Sequence, residues 1–288
     1  MSAATMSAPF VLVSGGKGGV GKTMLAVNLA VQLASEGKRV LLVDLDLAMA
    51  DAHVLLRLTP ISTIADALAG RRPIQDCVVR APGGFDLLAA ESGEPELARA
   101  DAQRCGRVLA AVAELSGEYD IVLGDSAAGV GPDVLEFAAV ADRVLIVTTP
   151  DPAALTDAYG WIKALDLHAT EWNLDLPTPE LVLNQVDSAD QADGLATRLR
   201  GVCERFLSRS PRLAGWLPRS AIVLSSIATQ RPFALDRPLC LENHCLRRLS
   251  QRVQRWFPAV PTLKPALKRR ATPQGEGKGG RTCESDHG

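Results

Sequence analysis

Aromatic side chains are scarce in this 288-residue chain. Phe, Trp and Tyr together make up 4% of it, and its only tyrosines are Tyr119 and Tyr159. The six cysteines, at 77, 105, 203, 240, 245 and 283, are scattered, and none belongs to a CxxC pair. That argues against a disulfide framework and a thiolate-held cluster, and for reduced thiols in a cytoplasmic setting. Cys240 and Cys245 flank His244, which reads as a metal-ligand group or, preferably, as small apolar positions of a helix. No run of about 18 uncharged apolar residues is long enough to span a bilayer. Residues 1–9 lack both the basic and the apolar stretch of a signal peptide. There is no internal repeat and no midchain linker.

What is present is core-forming material. The chain is 47% apolar and 22% charged, which suits one large domain or two small ones. Its net charge of −2 hides an asymmetry. Residues 237–270 carry nine Lys/Arg against a single acid, Glu242, leaving an acidic body with a basic end.

Short runs rich in Val, Ile and Leu at 10–13, 39–43, 85–88, 119–123, 143–148 and 180–183 read as strands buried on both faces. Helical stretches fall between them, at about 22–35, 95–116, 132–140, 153–168 and 188–208. The alternation predicts an α/β fold, a doubly wound, mainly parallel sheet flanked by helices. The ligand should lie at the carboxyl ends of its strands. The expected organisation is a flexible N-terminus over 1–8, one domain over 9–257, and a basic, Pro/Gly-rich disordered tail over 258–288.

Directly after the first strand, residues 15–23 read GGKGGVGKT, and residues 16–23 match GxxxxGK[ST]. Such a loop turns backbone N–H groups toward phosphate oxygens, helped by the N-terminus of the next helix. The phosphate-binding set is Gly16, Lys17, Gly18, Gly19, Val20, Gly21, Lys22 and Thr23. Lys22 faces the β/γ-phosphates and Thr23 holds Mg²⁺. A nucleoside triphosphate and Mg²⁺ are thus the expected ligands.

Lys17 within the loop makes the sequence resemble the MinD/ParA family of deviant P-loop ATPases. That resemblance covers about residues 9–256. It implies that Lys17 reaches the nucleotide of a second subunit, so that ATP drives homodimerisation, and that hydrolysis is slow until the dimer or a partner assembles. It also implies that, after the second strand, Asp44 lies near metal and nucleotide, and Asp46 orients or activates the attacking water. By the same resemblance, in DSAAG at 125–129, Asp125 contacts Mg²⁺ and Gly129 senses the γ-phosphate. Asn184 matches the family's asparagine that reads adenine, although NQVD at 184–187 also looks like a guanine motif with Gln in place of Lys. Pro218 matches a residue of the base pocket, but the acid that often follows it is replaced by Arg219.

Within the family the chain looks most like the flagellar-number regulators of the FlhG/FleN type. The stretches that carry this are 44–56, 81–88, 134–137, 148–163 (TTPDPAALTDAYGWIK) and 230–233. The implied partners are an FlhF-like GTPase, flagellar switch-ring proteins or a flagellar transcription activator. There are departures. No DQAxxLR motif precedes the P-loop, and the similar DQADGLA at 190–196 reads as an ordinary helix start. Residues 48–51 read AMAD where the family tends to have Gly-Leu-Ala-Asn. Residues 239–270 offer a weak contact with anionic membrane, because Leu246, Leu249, Val253, Trp256 and Phe257 recur at helical spacing between arginines. The competing and preferred reading makes 239–257 the last core helix. Two functional alternatives stay open: a ParA-type partition ATPase that binds DNA without sequence preference, and a MinD-type division-site regulator. The lack of a tyrosine cluster sets aside the tyrosine-kinase relatives.

Overall fold

A computed structural model describes residues 6–47, 49–90, 102–207 and 209–257. In chain order the elements are β1 (Phe10–Ser14), α1 (Lys22–Ser35), β2 (Val40–Leu45), α2 (Ala52–Leu55), α3 (Ile64–Leu68), β3 (Val78–Arg80), β4 (Asp86–Leu88) and α4 (Ala102–Ser116). They continue with β5 (Ile121–Ser126), α5 (Pro132–Val140), β6 (Arg143–Thr148), α6 (Pro152–Glu171), β7 (Glu180–Val186), α7 (Ala189–Leu207), β8 (Leu213–Pro218), α8 (Ala221–Ala228), α9 (Phe233–Asp236) and α10 (Leu241–Trp256). The sheet order is β3-β4-β2-β5-β1-β6-β7-β8, and every pairing is parallel except that of β3 with β4.

The alternation of side chains along β1 shows why the strands read as continuous apolar runs. Phe10 and Leu12 join the core layer that includes α4, α5, α6 and α7, whereas Val11 and Val13 join the layer of α1, α9 and α10. A central strand such as β1 therefore needs apolar residues on both faces. Helix α1 lies almost wholly inside, which explains why its sequence is apolar nearly all round.

The topology also positions the site. β1 sits between β5 and β6, and β2 lies beyond β5. The chain turns outward at this point, opening a crevice at the carboxyl ends of the strands. Within it, Val13 of β1 is in register with Asp125 of β5, and Asp125 is in register with Asp44 of β2.

Four sequence expectations concern the two ends of the chain and the helix expected over 95–116. Residues 6–8 lie against the body: Ser7 N donates to Ser116 Oγ at 2.8 Å, and Ala8 is buried. The flexible start expected over 1–8 therefore does not include them, and residues 1–5 are outside the described residues. So are residues 95–101 of the helix expected over 95–116, and the whole 258–288 tail. In α10, Leu246, Leu249 and Val253 are buried against β8 and α1. The stripe is part of the core, as the preferred reading of 239–257 has it and not the membrane-contact alternative, because Gly215 of β8 lets Leu249 pack directly on the strand. Of the 239–270 segment, only Trp256 and Phe257 remain half-exposed among the apolar positions named for membrane contact.

Candidate functional site

The loop between β1 and α1 curls because its glycines permit it. Gly21, with φ of 96°, caps α1 in the left-handed region, and a Cβ there would meet the Asn184 amide nitrogen at 2.4 Å. At Gly16 the constraint is contact: a Cβ would come within 2.4 Å of the Asp157 carbonyl oxygen on α6. At Gly18 and Gly19 nothing lies within 4 Å of such a Cβ, so the outer turn of the loop borders open space. A built backbone cradle facing an open volume fits a phosphate chain.

Asn184 braces this cradle. It is buried, its Nδ2 donates to Val20 O at 2.8 Å, and its Oδ1 accepts from Gln185 N at 3.0 Å. Gln185 has φ of 59°, and the β7–β8 register shifts there. This bulge turns the Asn184 amide toward the P-loop. One amide hydrogen is thus spent on the loop and the other is left over. Pro218 ends β8 in register with Val186, and Arg219 N bonds Val186 O at 2.9 Å. The two base-pocket candidates are therefore on adjacent strand ends.

The charged floor is unusual. Asp44 and Asp125 are neighbours in the sheet and are both buried. Asp44 is satisfied by backbone, its Oδ1 accepting from Asp46 N and its Oδ2 from Ala52 N, each at 3.1 Å. Neither carboxylate oxygen of Asp125 has a well-formed hydrogen bond, the Thr23 side chain being the donor beside it. Burial pushes Asp44 up to about 7, against the pull of the Ala52 N–H. Burial, then the Asp44 charge, holds Asp125 well above the ordinary carboxylate range, while the Thr23 side chain and Lys22 draw it partly back. Two buried carboxylates side by side cost free energy unless a proton or a cation joins them. The donor set of Thr23, Asp44 and Asp125 fits hard Mg²⁺, which takes oxygen ligands and keeps several waters.

The remaining candidates lie around this floor. Lys22 opens α1 and is buried. Asp46 is half-buried, and its Oδ1 accepts from Met49 N at 3.0 Å. Gly129 N donates to Gly15 O at 3.0 Å, tying the segment after β5 to the P-loop backbone. Lys17 is half-exposed, and its Nζ stands 3.4 Å from Asp151 Oδ1. Asp151 caps α6 by accepting from Ala154 N at 2.9 Å, with Pro152 at the first helical position. The Thr149 hydroxyl, then the Ala154 N–H, with Lys17 adding, holds the Asp151 carboxyl at about 2. The cap is legible in the sequence PDP. Its pairing with Lys17 is not, because 134 residues separate the two. Among the described residues no cluster of His, Cys, Asp or Glu forms a separate metal site, and His244 stays exposed between Cys240 and Cys245.

Residues 11–233 match the CobQ/CobB/MinD/ParA nucleotide binding domain. The chain belongs to this family. Its membership places the glycine loop and the carboxylate floor in a nucleotide-binding domain. The chain is 33% identical over 252 residues to the antiactivator FleN of Pseudomonas aeruginosa, covering 87% of this chain and 88% of that protein. It is 33% identical over 154 residues to the flagellum site-determining protein YlxH of Helicobacter pylori, covering 54% of this chain and 52% of that protein. In fold it is similar to the septum site-determining protein MinD of Pyrococcus horikoshii, solved with Mg-ADP. The TM-score there is 0.70 at 21% identity, covering 86% of this chain and 97% of the other. The MinD/ParA-like fold expected from the P-loop is thus the observed one.

Proposed function

We propose that this chain is an ATPase that acts as a dimerisation switch in setting the number or placement of flagella. The observation that carries the reading is the buried Asp125 carboxylate beside Asp44, under a phosphate loop that also contains Lys17. In this reading the loop N–H groups of residues 16–23 hold the phosphates, and Lys22 balances their charge. Thr23, Asp44 and Asp125 hold Mg²⁺, which supplies charge neutralisation at the β- and γ-phosphates. Asp46 positions the attacking water from the strand end. Asn184 and Pro218 border the adenine.

Two contacts of the single chain must be exchanged for the dimer to form. Lys17 leaves Asp151 and turns to the nucleotide of a second copy. Gly129 leaves Gly15 O and meets the γ-phosphate. Hydrolysis by the lone chain is slow because the second lysine is missing. The similarity to FleN, over most of both chains, supports the flagellar role. An FlhF-like GTPase, flagellar switch-ring proteins or a flagellar transcription activator are the partners this role implies. Light scattering on the purified chain tests the switch: mass should double with MgATP and not with MgADP, and Lys17→Ala should abolish the doubling. Unchanged ATP-driven dimerisation in that variant refutes the role given to Lys17. Turnover by wild type but not by Asp46→Ala separates an ATPase from a module that uses ATP only to dimerise. Flagellar counts in a deletion strain test the biological role.

A further inference from the structure

We propose a second binding site, distant in sequence from the P-loop, where an extended acidic peptide of a partner protein adds as a strand to the free edge of β8. β8 ends the sheet order, so its outer edge pairs with no strand among the described residues. Helices α7 and α10 stand on opposite faces of this strand, because their buried residues belong to the two different core layers. Trp216 packs against both layers, which marks the edge itself. Between the helices lies a slot of about 360 Å³ whose floor is residues 213–216. An edge strand lying open between two helices offers backbone donors and acceptors to an incoming chain.

The charge of the slot selects the occupant. Arg248, Arg252 and Arg255 line its α10 lip, and their spacing of four and three residues stacks them along one face of the helix. Arg252 is engaged with Glu180 at 2.6 Å. Arg248 and Arg255 are exposed and form no ion pair among the described residues. The α7 lip supplies one acid, Asp193, at its exposed first turns. The row of arginines extends over ~10 Å of helix. Alternate residues of a strand repeat every ~7 Å, so a peptide with acids at every second position sets two carboxylates along that row. Its intervening apolar residues then face Trp216 and Leu213. The same charges disfavour a second copy, since pairing β8 with β8 would face two arginine rows.

The site is tested by panning a random twelve-residue peptide library on the full chain, then measuring the best binder by fluorescence polarisation. Recovered sequences should be acidic at alternate positions and free of proline in their central run. Arg248→Glu with Arg255→Glu should weaken binding by about ten-fold or more, and Arg248→Ala with Arg255→Ala by less. A proline placed centrally in the peptide should abolish binding, and bound peptide should slow hydrogen exchange at residues 213–216. Both arginines are exposed, and an unchanged melting temperature will show that the variants fold. Recovery of neutral or basic peptides, indifference to the arginine changes, or indifference to the proline overturns the proposal. So does an arginine-dependent binding of phosphatidylglycerol vesicles or duplex DNA with no acidic peptide recovered.

Discussion

Lys17 and Asp151 form an ion pair in the single chain, with Nζ 3.4 Å from Oδ1 and both side chains nearly half exposed. The lysine that defines the deviant P-loop is thereby held by the N-cap of α6. Asp151→Asn keeps the cap, since Asn serves as well as Asp there, but removes the charge. An exposed pair contributes little, so ATP-driven dimerisation should tighten by about two- to five-fold. Sedimentation at varied protein concentration measures this, and weaker dimerisation would show that Asp151 serves the dimer rather than restraining Lys17.

Asp44 and Asp125 give the metal-free chain a pH dependence of definite sign. Both carboxyls are raised in the folded state, Asp44 from 3.8 to about 7. The folded state therefore binds more protons, and stability present below the ordinary carboxylate pKa is lost as pH rises through the folded value. Chemical denaturation should show stability falling between about pH 4 and 7 without metal. Asp125→Asn should flatten that decline and raise stability at neutral pH. The same substitution should remove Mg²⁺-dependent nucleotide binding.

Asn184 donates to Val20 O from a buried position, so its loss leaves that carbonyl unpaired. Asn184→Ala should cost about 1–3 kcal/mol of stability and weaken ATP binding together. Asn184→Asp should be worse, because an acceptor then faces an acceptor. Calorimetry on both variants gives stability and affinity in one experiment. Loss of affinity without loss of stability would assign Asn184 to the base alone.

The loop glycines separate folding from binding. Gly16→Ala drives a methyl against the Asp157 backbone, so it should lower the melting temperature by displacing α6 from the loop. Gly18→Ala meets nothing within 4 Å and should melt as wild type does. If Gly18→Ala still loses nucleotide, the open volume beside it is where phosphate sits.

Leu249 is buried between α10 and Gly215 of β8. Leu249→Ala should destabilise the chain by about 2–5 kcal/mol through the cavity it leaves. Vesicle flotation of the variant should match that of wild type as long as it is folded. Reduced flotation with unchanged stability would favour the lipid-facing alternative for this helix.

Several features were legible locally. The apolar runs at 10–13 and 143–148 announced strands buried on both faces, and GGKGGVGKT announced the turn after β1. Those signals depend on neighbours a few residues apart. The antiparallel strand Val78–Arg80 went unread, because three residues with no buried member carry no periodicity. The amphipathic stripe of α10 was legible as a stripe, yet a stripe facing lipid and one facing β8 have the same spacing.

The sequence by itself determined the parallel α/β architecture and the phosphate loop, because backbone period and glycine placement are written in contiguous residues. Only the tertiary structure decided that Asp44 stands beside Asp125, that Lys17 rests on Asp151, that Asn184 holds Val20 O, and that the arginines of α10 line the free edge of β8. Strand order sets those pairings. The first three join residues from 81 to 164 positions apart, a distance over which no local pattern carries information.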